Sequence, residues 1–270
     1  MAKKKTSAKR SKVAVMRILN CLPSRDTDRD WTIRHARAAG VLAAGPIPPG
    51  KDLREDWWKI GDQESTGSCV GWATADSVLR WHFVKSGDLQ DGERLSPRFV
   101  WMAAKETDAI TDRPTTFIEK AGTTLKAALD IARKFGVVRE PVLPFKSGQL
   151  YPDDPETFYA IAARLRIASY FSVGMDPADW RDWIANHGPI LTRLDVDATW
   201  DDAKAADGNL DEYLPGTARG GHAVAIVGYT PDRFIVRNSW GTATWGDKGF
   251  GYASTAYAQD AFTEAYGVTV

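Results

Sequence analysis

Apolar residues in the first half of the chain recur with helical spacing. After Cys69, Ala75, Val78, Leu79, His82 and Phe83 fall at i, i+3, i+4, i+7 and i+8. This predicts a helix with one apolar face, stopped at Gly87. Thr123 or Thr124 offers an N-cap for a second helix, with Leu125, Ala128, Leu129 and Ala132 as its buried stripe and Gly136 at its end. A third helix is expected over residues 155–166, and a fourth with Asp176 as cap, Pro177 at the first helical position and Gly188 as terminator. Beyond Gly188 the period changes to two: Ile190, Thr192, Leu194 and Val196 alternate with their neighbours. HAVAIVGY, RFIVRNS, GFGYAS and YGVTV follow as short runs between turn signals. The predicted fold class is α+β, with a helical lobe, an antiparallel sheet or barrel lobe, and a cleft between them.

Three regions are expected. Residues 1–21 read as a basic flexible tail, and 22–55 as an extended segment on the body with a short helix around 36–44. Residues 56–270 form the folded domain. A content of 43% apolar and 26% charged residues excludes a disordered chain. The formal net charge is zero, yet seven of the 35 basic residues and none of the acidic ones lie in the first 17 positions. Contact with nucleic acid or an anionic surface is therefore confined to residues 1–17, and no aromatic residue interleaves those lysines for base stacking. The plainer reading is a solvated terminus.

Residues 13–22 are interrupted by Arg17 and Asn20 and lead to no small-residue cleavage site. No segment approaches the roughly 18 apolar residues of a membrane span. With only Cys21 and Cys69, neither a disulfide framework nor a structural zinc site is expected. A cytoplasmic location follows as the expectation. The acidic stretch 195–212 opens like a calcium loop but lacks glycine at the sixth position. It reads as a solvated loop at the cleft edge, and neither metal nor organic cofactor is anticipated.

The chemistry lies in four residues. Cys69 follows Gly67 and Ser68 and opens the first helix, where backbone N–H groups favour a thiolate. His222 begins an apolar strand after Gly220 and Gly221; glycines allow a close backbone approach, and a strand holds the ring rigidly. Among the other histidines, His82 reads as a satisfied core residue, His187 as a helix end and His35 as part of the irregular segment. Asn238, 16 residues after His222, can orient the imidazole, and Trp240 can shield that bond from water. Gln63, six residues before Cys69, can join the Cys69 N–H as an oxyanion donor.

The blocks QESTGSCVGWA, GGHAVAIVGYT and VRNSWGTATWGDKGFGY resemble the signature segments of papain-like cysteine peptidases. LSPRFVW, AGTTLKAALDIARKFGVV and HGPILTRLDV support the likeness, which extends from about residue 22 to 270 and is strongest toward compact bacterial members. The resemblance implies Cys69 as nucleophile, His222 as general base and acid, Asn238 as orienter, Gln63 in the oxyanion hole and Trp240 as cover. It also implies a substrate cleft lined near Gly122 and by the residues before His222, including Gly221, with a peptide or protein as substrate. Four features depart from the pattern. Glu64 stands where glycine is usual, Thr66 where a cysteine is often disulfide-bonded, and Val70 where a tryptophan follows the nucleophile; the Trp240 block carries one extra residue. The same site would also serve a deamidase or acyl transferase acting on a protein, and a non-catalytic binding module is the third reading. Residues 1–55 are too short for a long helical pro-segment, and a smaller inhibitory device there is left open.

Overall fold

A computed structural model describes residues 17–107, 119–147 and 155–270. Residues 1–16, most of the expected tail, fall outside that range. The helix that begins at Cys69 runs without a break through Cys69–Gly71, a wider π-helical stretch Trp72–Leu79, and Arg80–Ser86. Every side chain of the π stretch is buried. It is buried all round, beyond the single apolar face predicted at i, i+3, i+4, because helices and the sheet pack on it from several sides. Gly87 ends the helix at φ 87°, a left-handed conformation natural for glycine.

Helix Leu125–Lys134 starts as predicted, with Thr124 Oγ1 accepting from the Ala127 N–H at 3.1 Å. Helix Pro177–Asn186 starts with the Asp176 carboxylate accepting from the Ala178 N–H at 2.9 Å. The third expected helix is shorter, Pro155–Ala162, and the early one lies at Ile33–Ala38. Three α-helices among the described residues carry no sequence prediction, one of them the short Thr199–Asp202. Pro97–Thr107 is buried along most of its length, and Thr255–Ala261 is a short helix capped by Ser254 between two strands.

The strands, in chain order, are β1 (Lys51–Asp52), β2 (Ser169–Ser172), β3 (Ile190–Val196), β4 (Asn209–Leu210), β5 (Gly220–Tyr229), β6 (Arg233–Arg237), β7 (Phe250–Ser254) and β8 (Phe262–Thr269). They form one sheet in the order β2-β8-β3-β5-β6-β7-β4, with β1 paired to β5. The sheet is not closed, so the barrel expectation gives way to an open sheet. It is mixed, because β4 joins β7 in parallel. β5 is central and buried on both faces, which is why HAVAIVGY reads as a continuous apolar run.

The acidic stretch is more ordered than expected. Trp200 and Ala203 are buried in it, and Asp197 is fully buried, accepting from Tyr257 Oη at 2.8 Å, Thr199 Oγ1 at 2.7 Å and the Leu214 N–H at 2.8 Å. Among the described residues no group of acidic, histidine and cysteine side chains could hold a metal ion, and no helix is long and apolar enough to cross a membrane.

Candidate active site

Cys69 and His222 come from opposite layers, one from the start of a buried helix and the other from β5. Both are fully buried. His222 Nε2 lies 2.8 Å from Asn238 Oδ1, which also accepts the Ser239 N–H at 2.7 Å. An amide oxygen only accepts, so Nε2 carries a proton and Nδ1 is the ring nitrogen left to exchange a proton with the sulfur. Nδ1 has no partner within hydrogen-bond geometry, yet the imidazole acts on the sulfur at close range.

The Cys69 thiol is held well below the usual thiol range. The neighbouring Cys21 side chain is the largest influence; burial opposes it, and His222 and the Ala223 backbone reinforce it. Cys21 moves the other way, pushed up by burial and by its neighbour Cys69. In this pair Cys69 is the more acidic thiol.

Trp240 lies beside the imidazole, with ring centroids 4.9 Å apart and planes at 36°. Trp200 meets the same ring edge-on at 5.6 Å, and Trp245 packs against Trp200 at 4.5 Å. Three indoles thus exclude water from the His222–Asn238 bond, where only Trp240 was anticipated. Trp200 is fixed in turn by its Nε1–H donating to Tyr257 Oη at 2.9 Å, whose O–H donates to the buried Asp197.

Gln63 is fully buried. Its Oε1 accepts from Ser239 Oγ at 2.8 Å, and its backbone N–H donates to Ser239 O at 2.9 Å, tying it to the segment that carries Asn238. Its Nε2 donates to Thr66 O at 3.1 Å, leaving a second N–H. Thr66 Oγ1 bonds the Gln63 carbonyl at 2.7 Å and Ser68 Oγ at 2.6 Å, so this turn is braced by hydroxyls where a disulfide stands in many resembling chains. Ser68 is the residue before the helix, its carbonyl accepting from Trp72 N. Glu64 adopts φ 55°, a left-handed conformation that glycine holds freely and other residues at a cost of about 1–2 kcal/mol. Its N–H is secured by Asp62 Oδ1 at 2.8 Å.

The cleft is not open. Residues 17–21, expected in the flexible tail, lie along it, and the chain continues directly into 22–26. Arg17 donates to Asp62 Oδ1 at 2.5 Å and Trp240 O at 3.1 Å, with its guanidinium over the Trp240 ring at 5.6 Å. Asn20 Nδ2 donates to Lys120 O. A Cβ on Gly122 would collide with the Asn20 carbonyl, and one on Gly221 with the Cys21 carbonyl; Gly67 is equally crowded by Asn20 and Ala121. Cys21 N–H donates to Gly221 O at 2.9 Å, and Leu22 N–H donates to Thr123 O at 3.0 Å. The Cys21 carbonyl accepts from Arg193 Nε at 3.0 Å and does not engage Gln63.

The sequence reading did not assign Arg17, Cys21, Arg193, Trp200 or Trp245 a place here. Cys21 alone carried a signal, as one of only two thiols. Of the control histidines, His35 belongs to a capping box with Thr32. His82 is buried as expected, but its Nε2 has no partner, so the satisfied-core reading fails. Burial, helped by His187, lowers its pKa to about 4.

Residues 47–266 match the model of the papain family cysteine protease. Peptidase 1 of Psoroptes ovis is 31% identical over 235 residues, covering 83% of this chain and 66% of that protein. Cathepsin B-like CP3 of Giardia intestinalis is 24% identical over 238 residues, covering 80% and 72%. Among solved structures, xylellain, a cysteine protease from Xylella fastidiosa, superposes with TM-score 0.73 at 20% identity over 98% of this chain and 99% of that one. Bromelain from Ananas comosus, solved with the E64 inhibitor, gives 0.64 at 19% identity over 83% and 100%. The chain belongs to the papain family of cysteine proteases.

Proposed function

We propose that Cys69 is the nucleophile of a peptide-bond hydrolysis in which His222 moves the proton, Asn238 orients the ring, and Gln63 with the Cys69 N–H receives the oxyanion. Family membership makes the chain a cysteine-type peptidase with peptide or protein substrates, and the deamidase, transferase and binding-module readings are not favoured. The observation that carries the residue assignment is the paired placement of the His222 ring. Nε2–H is tied to Asn238 at 2.8 Å, and Nδ1 is left to take the proton of the acidified Cys69 thiol at a helix start.

The steps follow from these groups. Nδ1 of His222 takes the Cys69 thiol proton, and the thiolate so formed attacks the carbonyl carbon. The oxygen gains charge beside the free N–H of Gln63 and the backbone N–H of Cys69, one of the unpaired donors of a first helical turn. The imidazolium protonates the departing amine, and the neutral ring then takes a proton from the water that releases the acyl group. Gly67, Ser68, Gly122 and Gly221 are proposed to line the substrate path, on the ground that residues 17–24 already run an extended backbone past Gly67, Gly122 and Gly221.

A cytoplasmic, reducing environment is proposed for the enzyme. Its support is that Cys21 and Cys69, the chain's two cysteines, are both free thiols. The central test is hydrolysis of a fluorogenic peptide together with labelling by an epoxide directed at papain-like thiols. Cys69→Ala should lose both, while Cys21→Ala should keep the label. A Cys69→Ala protein that still hydrolyses the peptide would end the assignment.

A further inference from the structure

Cys21 faces the reactive sulfur as no substrate group would: it brings a second thiol. Its backbone is clamped on both sides, by its own N–H to Gly221 O and its carbonyl from Arg193 Nε, and one residue later by Leu22 N–H to Thr123 O. Both side chains are buried, at 2% and 0% exposure, and Asn20, the neighbour of Cys21, lies against Gly67, two residues before Cys69. Cys21 is thus held between the turn that leads into Cys69 and the glycine that precedes His222, and a disulfide there requires Cα atoms within about 7 Å.

We propose that Cys21 is a resolving thiol for Cys69, so that hydrogen peroxide converts the occupied cleft into a covalently locked one through a Cys21–Cys69 disulfide. The chemistry balances in two steps. The Cys69 thiolate attacks peroxide, the O–O bond breaks, hydroxide leaves, and Cys69 sulfenic acid remains. The Cys21 sulfur then attacks the sulfenic sulfur, its thiol proton goes to the departing hydroxyl, and water is released as the S–S bond forms. Overall two thiols and one peroxide give one disulfide and two waters; the sulfurs are oxidised and the peroxide reduced.

Three features favour this outcome over ordinary damage. The Cys69 thiol is lowered and the Cys21 thiol raised, the ordering that a nucleophile and a resolving group require. Burial admits a water-sized oxidant in preference to a bulky disulfide. The clamp keeps Cys21 in place during the lifetime of the sulfenic acid, ahead of the irreversible sulfinic stage. The lock would hold the peptidase inactive, and its nucleophile intact, until a thiol reductant reopens it.

This inference rests on the peptidase reading for its consequence but not for its test. Reduced full-length protein would be treated with hydrogen peroxide, mapped by non-reducing peptide mass spectrometry, and assayed in parallel on a fluorogenic peptide before and after dithiothreitol. The expected result is a Cys21–Cys69 cross-linked peptide lighter by two hydrogens, with loss of activity that dithiothreitol reverses. In Cys21→Ser, Cys69 should proceed to the sulfinic acid and its activity should not return. Wild-type protein in which Cys69 becomes sulfinic while Cys21 remains alkylatable would overturn the proposal. A cross-link in a protein that hydrolyses nothing when reduced would uphold the lock and remove the peptidase reading instead.

Discussion

Asn238 does its work with a single oxygen that accepts two N–H groups while its own amide nitrogen stays buried and unpartnered. A residue kept at that cost is expected to matter for the ring more than for the fold. A hydrogen bond to a group that becomes charged is worth about 1.5–3 kcal/mol, so Asn238→Ala should lower kcat by roughly 10- to 150-fold with a much smaller change in KM. Equal kcat values for the two proteins would deny the orienting role. His82 offers a second check at this scale. The native state stays unprotonated down to about pH 4, whereas an unfolded histidine takes its proton near 6.5. Stability should therefore fall with pH across that window, by about 1.4 kcal/mol per unit from this group. Urea titrations from pH 7 to pH 4 should show a shallower loss for His82→Leu; parallel curves would refute the assignment. The difference between His222 and His82 was legible in sequence, since one follows two glycines into a strand and the other lies on a helical stripe. What His82 lacks was not legible, because a missing partner is a property of the packed interior.

At the scale of elements, caps and strands were the readable part. Thr124, Asp176 and Gly87 act through their immediate neighbours, so spacing alone places them. The Pro97–Thr107 helix is buried along most of its length, Arg98 and Lys105 included, a placement that its own sequence does not mark. The cleft-filling segment was not legible either. Its character comes from partners far along the chain, among them Thr123, Arg193 and Gly221. Charge alone suggested a tail, yet Arg17 is the residue that anchors it on Asp62 and Trp240. Arg17→Ala removes a cation–π contact and a partly buried ion pair, together worth about 1–2 kcal/mol. Epoxide labelling of Cys69 should then run roughly 5- to 30-fold faster if opening of the segment limits access. An unchanged labelling rate would mean that Arg17 does not hold the segment closed.

The whole molecule turns on a join between its helical and sheet layers. Asp76, in the π stretch of the Cys69 helix, is fully buried and meets Arg237 of β6 at 3.0 Å, Arg94 at 2.7 Å and Arg80 at 3.5 Å. Burial pushes its carboxyl up, but Arg237, Arg94 and Arg80 outweigh that and hold it below the ordinary range. Arg237 immediately precedes Asn238, so this node sets the helix that bears the sulfur against the strand that ends in the orienting amide. Removing one partner of a buried charge network costs about 3–5 kcal/mol, and Asp76→Ala should lose stability of that order in urea titrations. A loss under about 1 kcal/mol would show that the layers are held by apolar packing instead. For the carboxylate itself, stability should be complete above the unfolded pKa near 3.9 and decline as pH falls through the lower folded value. The overall α+β division was visible in the sequence, as were the four groups of the candidate site. The joint between layers was not, because Asp76 and Arg237 are 161 positions apart and nothing local marks them as partners.

The backbone clamp around Cys21 has a consequence for how the enzyme would choose among peptides. On the substrate path proposed above, residues 17–24 would compete from within the same molecule, at a fixed effective concentration, with every ligand that needs the groove. Weakening or tightening that internal competitor rescales the apparent affinity of all peptides by one common factor, the fraction of molecules standing open. Discrimination between two peptides, a ratio in which that factor cancels, stays with the walls of the groove and is independent of the segment lying in it.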